Sequence, residues 1–207
     1  MSAAPKGRDW ALLAVMVLVW GSSFLFIKLA LGWVGPFWLA AFRLLAASLF
    51  FVLARPLIKG QWPRGRQWLP LAALGFVGNA LPFVLIGIAT QTIPSSASAL
   101  VMSASPMIVM IVGIVFLPDE SISLTRVIGL VGGLLGVVLI ILGAPGALST
   151  SWGAGVLPYL LVLIAAVGYA MVNIFGRRLG SISLLARSFG MLSTGAVFAT
   201  LFALVLE

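Results

Sequence analysis

The sequence contains no cysteine and no histidine, and only 4 of its 207 residues are acidic. Without cysteine there is neither a disulfide framework nor a thiolate. Without histidine, the chain lacks the commonest zinc ligand and the commonest general base. Charged residues make up 8% of the chain, against about 25% in soluble domains. We therefore expect no enzymatic activity, no bound metal and no cofactor.

Apolar residues dominate what is present. They make up 62% of the chain, and the mean hydropathy is +1.24. A water-soluble fold of this length could not bury so much apolar surface, whereas a bilayer acts as an apolar solvent. The net charge of +8 does not favour nucleic acid as a partner, because the basic residues lie in short segments between apolar runs. Membrane lipids are the partners that this composition predicts.

Seven segments are apolar and long enough to cross a bilayer, for which a helix needs about 20 residues. The shorter alternating segments of a membrane barrel are absent from the sequence. The sequence therefore predicts an all-α membrane protein, a polytopic bundle of about seven transmembrane helices. The predicted spans are residues 10–31, 36–54, 68–89, 94–117, 127–143, 153–175 and 184–206.

Lysine and arginine occupy every second connection between these spans. They precede the first span and follow the second, fourth and sixth, whereas segments 32–35, 90–93 and 144–152 contain none. Because positively charged connections stay in the cytoplasm, this alternation predicts an orientation. We expect a bacterial-type inner (plasma) membrane protein whose N-terminus is cytoplasmic and whose Glu207 lies outside.

Two similar stretches end the first and the sixth span. The first reads VWGSSFLFIKLA over residues 19–30, and the second reads VGYAMVNIFGRR over residues 167–178. Each places an aromatic–small pair ahead of a basic residue, so Trp20 corresponds to Tyr169. Because the two stretches lie five spans apart, an odd number of helices separates them and the second copy is inverted.

This repeat predicts two units along the chain. Residues 1–145 form the first unit with spans one to five, and residues 150–207 form a partial second unit with spans six and seven. Glycines spaced four apart in the fifth span, such as Gly129 and Gly133, allow helices to approach closely. This packing lies either within the bundle or at the seam of a possible homodimer.

Several loose motifs follow one another in a set order. They are Trp20-Gly21-Ser22-Ser23-Phe24, Pro36-Phe37 through Arg43, TQTIPSSASAL over residues 90–100, Pro106, Glu120, and the glycines 129, 132, 133 and 136. In this order they resemble the EamA family of the drug/metabolite transporter superfamily. The resemblance implies ten helices in two inverted five-helix halves around a central pathway for amino acids or similar metabolites.

The chain departs from that plan because it ends after its seventh predicted span. We expect a transporter of a small-molecule substrate, an exporter of amino acids or related zwitterions or anions by alternating access. The alternative is a non-transporting structural or regulatory membrane subunit, or an inactive fragment of a ten-helix transporter.

Arg43 is the leading candidate for substrate contact, because it falls near half the depth of span two. A charge at that depth is costly unless it is paired or hydrated. In a functional role, Arg43 would bind a substrate carboxylate or phosphate. In a structural role, it would bond to helix carbonyls or extend to the interface. Both interpretations stay open. Lys28 and Arg187 lie nearer to span ends, so snorkelling explains them better than substrate contact does.

Other polar residues inside the spans complete the predicted site. Asn79 and Pro82 indicate a broken third span, although a helix–helix hydrogen bond from Asn79 is the favoured alternative. Ser95 and Ser103 share one face of span four, which either packs or lines a path. The predicted substrate-binding residues are Trp20, Ser23, Arg43, Asn79, Ser95, Ser103, Tyr169 and Asn173.

Acidic residues are missing from the middle of every predicted span, which predicts no intramembrane carboxylate relay. Asp119 and Glu120, beside Arg126, are expected to form a solvated cap or ion pair. The Ser–His or Ser–Lys pair of an intramembrane serine protease is lacking. The last span also contains no lysine that could hold retinal.

Overall fold

The computed structural model describes residues 6–54, 62–116, 124–143, 155–180 and 182–207. Within these ranges the regular structure is helical. Six helical segments are long and apolar enough to cross a membrane, and a further helix contains the shorter apolar stretch Val127–Leu139. The prediction of an all-α, polytopic membrane protein is therefore confirmed. The predicted cap at Asp119 and Glu120 lies outside the described residues.

The helix bounds agree with the predicted spans to within a few residues, apart from two interruptions. Proline begins several helices, since its missing N–H would have no partner in a first turn. The helices are α1 Gly7–Ala30, α2 Pro36–Leu53, α3 Trp68–Gly75, α4 Leu81–Thr92, α5 Ser95–Met102, α6 Ser105–Phe116, α7 Leu124–Leu142, α8 Leu157–Arg178 and α9 Leu184–Leu206.

The third span changes helix type in its middle. A short 3₁₀ turn, Gly65–Gln67, leads into α3, and the π turn Phe76–Ala80 joins α3 to α4. Pro82 follows directly and cannot donate the hydrogen bond that would continue an α-helical ladder. The Leu81 N–H instead bonds to the carbonyl of Phe76, five residues back. The predicted break at Pro82 therefore takes the form of a widened turn, which is often found at functional sites.

The fourth span is two helices rather than the single segment 94–117 that the sequence predicts. Helix α5 ends at Met102 and α6 begins at Ser105. Pro106 lies in the first turn of α6, where the N–H that proline lacks would have no partner. The predicted span is confirmed, because Ser95–Phe116 is long and apolar enough to cross a membrane, but it is interrupted just before Pro106.

The helices are buried to very different degrees. Helix α2 packs along α9, and α8 packs against α4, the π turn and α6. In the apolar windows of the spans, 44% of the α8 residues are buried, but only 6% of those in α1. Helix α1 contacts chiefly α5 and α4. It therefore presents most of its apolar surface outward.

Only part of the glycine pattern in α7 serves packing within the described bundle. A Cβ at Gly133 would overlap the side chain of Met107 in α6. At Gly129, Gly132 and Gly136, a Cβ would meet nothing within 4 Å. Packing within the bundle therefore accounts for Gly133, and the homodimer stays a prediction.

Lys28 connects α1 to the end of α4. Its Nζ donates to the carbonyls of Thr90, Gln91 and Ile93 at 2.7, 3.1 and 3.3 Å. The last carbonyls of a helix lack partners within the helix, and a cation beside them is also favoured by the helix dipole. Close by, the hydroxyls of Thr90 and Ser98 are 3.0 Å apart and buried. These bonds fix the turn between α4 and α5 against α1.

Replacing Lys28 by methionine is expected to lower the free energy of unfolding by about 1.5–3 kcal/mol, the value of hydrogen bonds to a charged group. Thermal unfolding of the purified protein in detergent measures this change. Arg177→Met is the matched control, because Arg177 is exposed at the end of α8. Equal midpoints for the two variants would contradict a capping role for Lys28.

Candidate functional site

Two adjoining cavities share Arg43. The first, here called the central cavity, has a volume of about 350 Å³ and receives side chains from α1, α2, α4, α5, α8 and the π turn. The second, here called the α1–α2 crevice, has a volume of about 440 Å³. The residues common to both are Val19, Ser23, Ile27 and Arg43.

The position of Arg43 is fixed by the packing of α2. Ala40, Ala41 and Leu44 on the same helix are buried and belong to the apolar cluster that α2 forms with α9. Arg43 occupies the neighbouring face and lines both cavities. Its Cζ lies 4.2 Å from the centroid of the Phe83 ring. This stacking is a cation–π contact, which leaves the N–H groups at the edge of the guanidinium available.

No described carboxylate neutralises Arg43. Asp9 accepts a hydrogen bond from the backbone N–H of Lys6 at the start of α1. Glu207, at the end of α9, accepts one from the backbone N–H of Trp38. In the ranges that the structure describes, the arginine therefore brings an uncompensated positive charge to the cavities. Such a charge inside a bundle attracts an anion, because the surroundings screen it weakly.

Five of the eight predicted site residues meet in the central cavity. Trp20 and Ser23 come from α1, Arg43 from α2, Asn79 from the π turn and Tyr169 from α8. No hydrogen bond joins the side chains of Ser23 and Asn79 to other described residues, so both can bond to a ligand or to water. The sequence favoured a helix–helix hydrogen bond from Asn79, but no such bond joins its side chain to another described residue.

Ser95, Ser103 and Asn173 line neither of the two cavities that contain Arg43. The Ser103 hydroxyl is exposed and donates to the carbonyl of Leu100 at 2.6 Å. The Asn173 amide is exposed and donates to the carbonyl of Tyr169 at 2.9 Å. Ser95 lies in the first turn of α5 and is half-buried. Because α5 ends at Met102, the fourth span contributes Met102 rather than serines to the central cavity.

Sequence reasoning did not single out Phe83, which forms the aromatic surface under Arg43. One signal pointed to it, because Phe83 follows Asn79 by four residues and so lies on the same helix face. The π turn between them still leaves both residues in the central cavity. Together these side chains form an apolar and aromatic chamber with one cation, one amide and two hydroxyls, those of Ser23 and Tyr169.

A family model described as the EamA-like transporter family matches residues 9–142. With this match over more than half of its length, the chain belongs to the EamA-like transporter family. It is a multi-pass membrane protein of a transporter family, as the resemblance implied.

Individual relatives have transporter names. The chain is 28% identical over 172 residues to an uncharacterized transporter of Archaeoglobus fulgidus, covering 83% of this chain and 58% of that protein. It is 27% identical over 191 residues to the uncharacterized inner membrane transporter YedA of Escherichia coli K12, covering 89% and 58%. It is 30% identical over 173 residues to the Arabidopsis thaliana WAT1-related protein At3g02690, chloroplastic, covering 80% and 40%.

The chain thus spans 40% to 58% of the length of these three relatives. A solved crystal structure matches the fold with a TM-score of 0.62 and 20% sequence identity. That match covers 98% of this chain and 69% of the solved chain. At this identity, the likeness concerns the fold alone.

Proposed function

We propose that this chain provides the substrate site of a small-metabolite transporter that exports amino acids or related zwitterions or anions by alternating access. The observation that carries the proposal is Arg43, a cation without a described acidic partner, in a cavity near the middle of the bundle. A buried charge is costly unless a ligand or water compensates it. A substrate carboxylate would bind the edge of the guanidinium while Phe83 holds its face.

Two interruptions in the helices support alternating access. The π turn Phe76–Ala80 and the break between α5 and α6 both interrupt spans that contribute to the central cavity. Broken helices beside a central site recur in secondary transporters, and such interruptions absorb backbone rotation when one part rocks against another. A substrate that binds one orientation more tightly than the other would shift the population between them.

We further propose that the chain is an inverted repeat with units 1–145 and 150–207. In this arrangement α8 and α9 are the inverted counterparts of α1 and α2. The packing of α2 along α9 suits a two-fold axis between them, and Trp20 and Tyr169 line the same cavity.

Flux into and out of proteoliposomes tests the transport proposal. The purified full chain is reconstituted, loaded with radiolabelled amino acids and simple organic acids, and compared with protein-free liposomes. We expect saturable efflux of at least one carboxylate-bearing compound. Liposomes with correctly folded protein that show no flux for any tested carboxylate would overturn the proposal.

A non-transporting structural or regulatory subunit is the second candidate. The observation that favours it is the broadly exposed apolar surface of α1, of whose apolar window only 6% is buried, since another membrane protein could pack there. Such a subunit would remain in the membrane but give no flux by itself. The flux experiment separates the two candidates, and flux that appears only after a second membrane protein is co-reconstituted would favour the subunit.

Orientation in the membrane can be measured directly because the native chain has no cysteine. We expect a membrane-impermeant maleimide to label Trp33→Cys in intact bacterial cells, since Trp33 is 91% exposed in the turn after α1. Arg64→Cys, exposed before α3, should be labelled only after the cells are broken. The positive-inside rule predicts this result. Labelling of Arg64→Cys alone in intact cells would show that the protein has the opposite orientation.

A further inference from the structure

We propose that the substrate is an organic monoanion with an apolar or aromatic body rather than a zwitterion. Its carboxylate would bind Arg43, and its body would occupy the α1–α2 crevice. This inference rests on the proposed function, because it narrows the substrate class of the same site.

The charge of the site favours an anion. Arg43 is the charged side chain that lines the two cavities. The two described carboxylates, Asp9 and Glu207, are bonded to backbone N–H groups at the ends of helices. A zwitterion would also bring an ammonium group with three donors, which needs acceptors or a carboxylate when it leaves water. A monoanion is compensated by Arg43 without any further charge.

The neutral groups of the site cannot neutralise an ammonium beside the arginine. Ser22 in the crevice donates its hydroxyl to the carbonyl of Leu18 at 2.7 Å. The face of Phe83, which could bind a cation, is already stacked with Arg43 at 4.2 Å. Ser23, Asn79 and Tyr169 each offer a neutral oxygen, which accepts a hydrogen bond but does not neutralise charge. An ammonium placed here would also lie near the positive guanidinium and be repelled.

The shape of the site favours an apolar body. Away from Arg43, the crevice is lined mainly by apolar side chains such as Val19, Phe26 and Leu39, and its volume is about 440 Å³. Arg43 lies where the crevice meets the central cavity, since it lines both. A carboxylate on Arg43 can therefore carry an attached hydrocarbon or aromatic group into the crevice. Burial of that group gives a favourable hydrophobic contribution to binding.

An anionic lipid headgroup carries the same charge as the proposed substrate. The test must therefore distinguish lipid from substrate as the ligand of Arg43. The full chain is placed in nanodiscs of phosphatidylcholine, which is neutral, and in nanodiscs with added phosphatidylglycerol. Three probes share one phenyl-bearing skeleton: 3-phenylpropanoate is an anion, phenylalanine is a zwitterion and 2-phenylethylamine is a cation. Isothermal titration calorimetry measures the Kd of each probe.

We expect 3-phenylpropanoate to bind at least about tenfold more tightly than phenylalanine, which is a difference of about 1.4 kcal/mol. The amine should not bind. Arg43→Gln should abolish the preference for the anion. Ala30→Phe, which fills the crevice, should weaken binding of 3-phenylpropanoate. Leu29→Phe is the matched control, because Leu29 is exposed and does not line the crevice.

Two results would overturn the inference. Phenylalanine that binds as tightly as 3-phenylpropanoate, or more tightly, would assign a zwitterion to the site and leave the transporter proposal standing. Loss of 3-phenylpropanoate binding in the phosphatidylglycerol nanodiscs would show that lipid phosphate is the ligand of Arg43. If the anion binds but the proteoliposomes show no flux, the transporter proposal fails while the inferred ligand class stands.

Discussion

Arg43→Ala is expected to reduce efflux about 10- to 100-fold. This range corresponds to the loss of a charge-assisted hydrogen bond of about 1.5–3 kcal/mol between the guanidinium and the substrate. The bundle should still fold, because the described contact of Arg43 is its stacking on Phe83 and alanine removes a charge that is costly to bury. Initial efflux rates from proteoliposomes and the thermal unfolding midpoint measure the two effects separately.

Arg43→Lys distinguishes charge from geometry. Lysine keeps the positive charge but loses the planar fork and most of the stacking on Phe83. We expect an intermediate rate, below wild type and above Arg43→Ala. Arg177→Ala is the control, because Arg177 is exposed at the end of α8 and should leave efflux unchanged. Wild-type efflux rates in both Arg43 variants would show that Arg43 does not bind the substrate.

Gly168→Ala is expected to destabilise the protein by about 1–3 kcal/mol, the usual cost of overpacking. Gly168 lies where α8 crosses the π turn, and a Cβ there would overlap the carbonyl oxygen of Val77 and lie 2.8 Å from Cγ of Pro82. A backbone carbonyl in a helical turn cannot move aside as a flexible side chain can. The unfolding midpoint in detergent should therefore fall clearly.

Gly176→Ala provides a control within the same helix. A Cβ at Gly176 would meet nothing within 4 Å, and alanine is favoured over glycine inside a helix by roughly 0.5–1 kcal/mol. We expect an unchanged or slightly raised midpoint for this variant. If both glycine variants had the same stability, close approach of α8 to the π turn would not be needed for folding.

The membrane spans could be predicted from the sequence because bilayer thickness sets a length that apolar runs display directly. The helix breaks were harder to predict. Pro82 and Pro106 both mark an interruption, but proline can kink a helix, widen it or start a new one. The sequence did not distinguish the π turn before Pro82 from the new helix at Pro106.

The lining of the central cavity was predicted in part. Arg43, Trp20 and Tyr169 could be found because charge at mid-depth and a repeated aromatic position are visible in the sequence. The serines of the fourth span were placed on a path because they share one helix face. That argument assumed a continuous helix, and the break after Met102 separates Ser103 from the cavity. Lys28 was expected to snorkel, whereas its ammonium caps carbonyls that only the folded chain brings near.

Reaction of a cysteine placed at Ser23 is the most direct test of a water-reached cavity centred on a positive charge. Ser23 lines both cavities, whereas Leu25 is 51% exposed on the outer surface of α1. We predict that Ser23→Cys reacts with small water-soluble thiol reagents, and faster with an anionic methanethiosulfonate than with a cationic one. Adding Arg43→Gln should remove that preference, and Leu25→Cys should stay unreactive in the bilayer. An unreactive Ser23→Cys, or a faster reaction with the cationic reagent, would contradict the cavity proposed around Arg43.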